Sequence, residues 1–185
     1  MRAVSRSSII ALVLPALSLA WTGCSKTEEK EELVPEVSFS FDLPALPVSI
    51  DSAEVAGPFG MMLELDSAAL ADALAANNYV PSQLTGMTFT KARLYGSTPV
   101  NGVFNHVASV KVQLGVDVSP PVTVASLAPV PNGSQTLLLG LSGVDVLQLV
   151  RSGQARIVLR MAFDGPVPPQ STHLLVLGAR ANVGL

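Results

Sequence analysis

Val110-Lys111-Val112-Gln113-Leu114-Gly115-Val116-Asp117-Val118 alternates apolar and non-apolar residues without a fault over nine positions. Successive side chains of a strand point to opposite faces, so this stretch has one aliphatic face and one wet face. A helix would scatter the same valines and leucine around its axis. Clean alternation belongs to antiparallel sheets, because parallel strands covered on both sides read as continuous apolar runs.

The same period recurs on either side. Val37-Ser38-Phe39-Ser40-Phe41-Asp42-Leu43 repeats it, Val48-Ser49-Ile50-Asp51 resumes it after Pro44 and Pro47, and Leu63-Glu64-Leu65-Asp66 carries it again. Ile157, Leu159, Met161 and Phe163 form one apolar phase, with Arg156, Arg160 and Asp164 on the other. From Met87 to Tyr95 the phase changes: Met87 and Phe89 are odd, Ala92 and Leu94 even, which predicts a bulge near Thr90-Lys91. Weaker strands are expected at Val122–Leu127, Leu137–Leu141 and His173–Val183. Leu137-Leu138-Leu139 is apolar on both phases and predicts a strand that is central or covered by a helix. Turn signals at Ser119-Pro120-Pro121, Pro129–Gly133 and Gly165–Pro169 separate these segments.

Two short helices interrupt the strands. Ser67–Ala76 is alanine-rich, with Asp66 or Ser67 as its cap, and Ser142-Gly143-Val144-Asp145 resembles a capping box that leads into Val146–Val150 and stops at Ser152-Gly153. Both suit the ends of a sandwich. The expected fold is therefore all-β: an antiparallel β-sandwich of about eight or nine strands with two short helices, the alternative being a small closed β-barrel with a helix over one end. No glycine fingerprint follows a strand, which disfavours a dinucleotide-binding architecture. A transmembrane barrel is disfavoured too, since its aromatic girdles do not fit a chain with 5% aromatic residues.

Ahead of this domain lies an address. Arg2 and Arg6 form a positive segment, and Ile9–Ala20 is apolar but shorter than the roughly 20 residues a membrane-spanning helix needs. Pro15 lies within it, and the whole reads as a signal peptide over residues 1–23. Trp21-Thr22-Gly23-Cys24 resembles the lipobox of bacterial lipoproteins, in which small residues precede a cysteine that becomes the lipidated first residue; Trp21 stands where Leu is usual. The resemblance implies that Cys24, the single cysteine, is the lipid-attachment residue. Multiple acyl chains anchor stably where one binds reversibly. It also implies an envelope location, and Ser25 in place of Asp points to the outer rather than the inner membrane. Residues 24–35 then form a charged tether, and Lys26 followed by acidic residues is similar to the surface-export signal of lipoproteins in some Gram-negative lineages. Residues 36–185 remain as one domain. Removal of residues 1–23 leaves nine Lys and Arg against 14 Asp and Glu, a charge of −5, and takes away the single tryptophan.

The domain carries no signature of an enzyme. Net charge argues against a nucleic-acid surface, and one cysteine forms no internal disulfide. With two histidines besides that cysteine, a zinc site has too few ligands, so no metal and no cofactor is expected. Gly140-Leu141-Ser142-Gly143 lacks the spacing of a nucleophile elbow. His106 and His173 stand at loop edges, where histidines are ordinarily exposed. Asp42, Asp51, Glu64, Asp66 and Asp117 occupy the polar phase of strands and read as surface carboxylates rather than a glycosidase pair. Lys91, Arg93, Lys111, Arg151, Arg156, Arg160 and Arg180 are expected to balance acids on neighbouring strands, with a patch for lipid headgroups as the sharper alternative. The expected function is adhesion, scaffolding or recognition of an envelope protein partner. The alternatives are a carrier holding an apolar ligand between its sheets and an enzyme with a dispersed site.

Overall fold

The alternating segments pair into two antiparallel sheets, in a computed structural model that describes residues 36–51, 58–65, 67–98, 104–116, 120–167 and 171–184. Every described element belongs to the unit Val34–Leu185. In the first sheet, β1 (Glu36–Asp42) and β2 (Leu46–Ile50) share one side of β10 (Ser171–Gly184). On the other side of β10 follow β4 (Leu84–Thr98) and β7 (Thr136–Leu138). The second sheet runs β3 (Phe59–Glu64), β9 (Arg156–Phe163), β5 (Val107–Gly115), β6 (Val122–Leu127) and β8 (Gly140–Leu141). This is the expected sandwich, and the barrel alternative does not occur.

The described residues form ten strands where eight or nine were expected, because Leu137–Leu141 serves both sheets. Leu137 and Leu138 pair with β4, Leu139 donates its N–H to the Ala92 carbonyl, and Gly140 and Leu141 pair with β6. The three leucines therefore do not make a central or helix-covered strand. Leu137 and Leu139 point inward at 1% and 6% exposure, while Leu138 is 62% exposed at a sheet margin. The predicted bulge is present at Thr90: Lys91 opposes Gly178 and Phe89 opposes Ala179, so one residue of β4 is unpaired. That extra residue moves Ala92 and Leu94 onto the inward face already held by Met87 and Phe89.

The core lies between the sheets and is largely aliphatic. Val112 and Leu114 of β5, Ile157 and Leu159 of β9, Leu94 of β4 and Leu175 of β10 are fully buried. Each such side chain contributes about 2 kcal/mol relative to leaving it in water. The alternating stretch from Val110 supplies β5 as far as Gly115; Asp117 and Val118 lie outside the described residues.

The helix α1 (Ser67–Ala76) has its expected limits and buries Leu70 and Leu74, one turn apart. Asp66, one candidate for its cap, lies outside the described residues. The second helix, α2 (Leu147–Arg151), does not use the expected capping box. Ser142 Oγ accepts from the Val144 N–H, Val146 takes the cap position, and Asp145 just before it accepts at Oδ1 from the N–H groups of Leu147 (2.9 Å) and Met87 (3.0 Å). One carboxylate thus starts the helix and ties it to β4. Arg151 donates to the Leu84 carbonyl at the other end of the helix, and Gly153 leaves it with φ +68°, a conformation side chains resist. Between α1 and α2, Leu70, Met87 and Val150 line a cavity of about 20 Å³, room for one water rather than a ligand.

Candidate functional site

Cys24, the one residue to which the sequence assigns chemistry, lies outside the described residues, as does the tether. Within the domain the unexpected polar groups are the histidines. His173 is the third residue of β10, opposite Val48 of β2 and Gly96 of β4. Its phase is that of Leu175, Leu177, Ala179, Ala181 and Val183, all buried, so the strand turns its ring into the core at 2% exposure. His106 occupies the turn that enters β5, held by the Val107 N–H to the Phe104 carbonyl and the Asp164 N–H to the His106 carbonyl. It is 9% exposed. Both histidines are therefore interior, contrary to the expectation for loop edges.

The two rings are packed against aromatics. Phe104 and His173 have centroids 4.9 Å apart with planes at 35°, and His106 stacks on Phe163 at 5.9 Å and 11°. Among the described residues neither ring nitrogen of His173 has a hydrogen-bond partner, nor does His106 Nε2 or Ser171 Oγ, two residues before His173. Burial disfavours the charged imidazole, and nearby His106 adds to the effect, so the His173 pKa is lowered to about 4. Burial lowers that of His106 too, against an opposing pull from Asp164. Both rings are thus neutral at pH 7. A serine nucleophile would need Ser171 Oγ on an imidazole nitrogen, and that bond is not made. Among the described residues no three His, Cys, Asp or Glu side chains gather as a metal-binding group.

Among the described residues the candidate carboxylates Asp42 and Glu64 lie on different sheets. Asp42 leaves the outward face of the first sheet and bonds Lys91 at 2.7 Å, while Glu64 leaves the outward face of the second. The Asp42–Lys91 pair crosses Gly178, where an added Cβ would lie 2.8 Å from Asp42 Oδ1 and 3.1 Å from Lys91 Cβ. This is the expected exchange of charge across strands. Asp51 is exposed, and Asp117 falls outside the described residues.

What the first sheet does present outward is an apolar cluster. Pro47, Leu174, Tyr95 and Thr136 lie in register across four strands, and Val176, Arg93 and Leu138 form the adjoining row. Leu138 is 62% and Leu174 38% exposed, and the Arg93 guanidinium reaches the Tyr95 hydroxyl at 3.5 Å. The rows beyond the Lys91–Asp42 pair turn polar, with Ser40, Arg180 and Thr88, then Ser38 and Asn182. Sequence reasoning missed this cluster because it is assembled from β2, β4, β7 and β10, whose order is not written along the chain. Among the described residues no helix is long and apolar enough to cross a membrane. No protein-family model matches the chain, and no curated protein is similar to it.

Proposed function

We propose that this chain is a non-enzymatic lipoprotein of the bacterial cell envelope, anchored through Cys24, whose sandwich recognises a protein partner through the outward face of the first sheet. The observation that carries the recognition role is the cluster of Leu138, Leu174, Tyr95, Val176 and Arg93 on a face that is elsewhere Ser, Thr, Asn and charge. Contiguous exposed apolar side chains mark interaction surfaces, and Tyr and Arg are the residues most often found at their energetic centres. The lipobox resemblance and the charged tether support the anchor.

A photo-crosslinking residue placed at position 138 in cells tests the partner reading, with Thr123 on the outward face of the second sheet as the reference position. A discrete adduct from position 138, absent from 123 and lost on Leu174→Asp, is the expected result. Equal adducts from both positions, or none from 138, would overturn it.

A further inference from the structure

The second sheet turns outward two cations that stand side by side. Lys111 and Arg160 oppose each other directly across β5 and β9, and both are exposed. Lys91, by contrast, is ion-paired with Asp42 on the other sheet. Like charges directly opposite in an antiparallel pair work against the sheet. Gly60 and Ser126 complete that row, and nothing stands within 4 Å of where a Gly60 Cβ would be. In the next row Met62 is 65% exposed, and beyond it Arg156 opposes Glu64. The row that joins Lys111 and Arg160 thus holds two cations and no carboxylate, on a chain whose net charge is −3. The like-charged pair Lys111–Arg160 lies on the open face of the sheet.

We propose that this face rests on an anionic lipid surface, with headgroup phosphates between Lys111 and Arg160 and the Met62 side chain among the headgroups. The proposal builds on the tethered reading. Residues 24–35, fully extended, reach about 40 Å, which keeps the sandwich within touching distance of the bilayer that holds Cys24. A flat face matches a flat partner, and each basic side chain near an anionic leaflet strengthens association about fivefold. With the second sheet against lipid, the apolar cluster of the first sheet faces away from the membrane, toward a partner.

The test uses the mature chain with its own amino terminus, on vesicles of phosphatidylcholine with or without phosphatidylglycerol, and reads amine acylation of each lysine by mass spectrometry. Lys111 labelling is expected to fall at least fivefold on the anionic vesicles and to recover in high salt. Lys91, ion-paired on the opposite sheet, labels equally on both. Equal labelling of Lys111 on the two vesicles overturns the proposal. Protection of Lys111 in whole envelopes but not on anionic vesicles overturns it in favour of an acidic protein. The mass of the amino terminus reports separately on the tether. Should Cys24 carry no lipid, co-sedimentation with anionic vesicles still tests the face. Binding that weakens about 30-fold in Lys111→Ser/Arg160→Ser supports it, and no binding overturns it.

Discussion

Lowering the pH from 7 to 4.5 should destabilise the domain through His173 before most carboxylates take part. The folded imidazole holds a pKa of about 4 against 6.5 in the unfolded chain, so between those values the unfolded state binds the proton and the folded state does not. Stability therefore falls as pH drops, by up to about 1.4 kcal/mol per pH unit and about 3 kcal/mol across the whole window. His106, whose pKa is also lowered, adds in the same direction. The assay is urea denaturation followed by far-ultraviolet circular dichroism at intervals from pH 7.5 to 4.5, on the wild type and on His173→Phe. Phenylalanine keeps an aromatic ring against Phe104 and removes two buried nitrogens that have no partners. The variant should be no less stable at pH 7. The stability difference between the two proteins should widen by about 2 kcal/mol or more as pH falls to 4.5. A difference that stays flat with pH would refute the reasoning, because it would mean the ring of His173 titrates in the fold as it does in water.

Asp145→Ala removes the acceptor shared by Met87 and Leu147 and should cost about 1–3 kcal/mol, seen as a lower urea midpoint with an unchanged slope. Lys111→Glu turns a like-charged cross-strand pair into an opposite-charged one, so it should raise stability by a few tenths to about 1 kcal/mol while weakening binding of the unlipidated chain to anionic vesicles about 30-fold. A stability gain without a change in vesicle binding would separate the two effects and count against the lipid-facing role.

The sandwich could be read in advance because its strands carry their own burial pattern. Thr90 is the clearest instance: a shift of the apolar phase from odd to even positions needs an extra residue, and the register of β4 against β10 supplies one. Helix α1 was equally legible from its alanines and the turn-forming Asn77-Asn78, where Asn78 takes φ 62° and the Asn77 side chain donates to the Ala73 carbonyl. The strand through Leu137–Leu141 was not, because a segment that leaves one sheet for the other mid-way satisfies two inward directions in turn. The position of His173 was written in the sequence as well, on the odd phase of Leu175 to Val183. The usual exposure of histidine points the other way, and in the fold the phase of the strand prevails. The outward surfaces were hidden for a different reason. Lys111 and Arg160, or Leu138 and Val176, become neighbours through strand order, and nothing local in the chain encodes which strands lie side by side.

The intact mass of the protein released from its own membranes, read together with its amino-terminal fragment, decides whether Cys24 is the anchor. The expected chain begins at Cys24 and carries a diacylglyceryl thioether and an acylated amine on that residue. A chain with an unmodified Cys24, or one that begins at another residue, would contradict it.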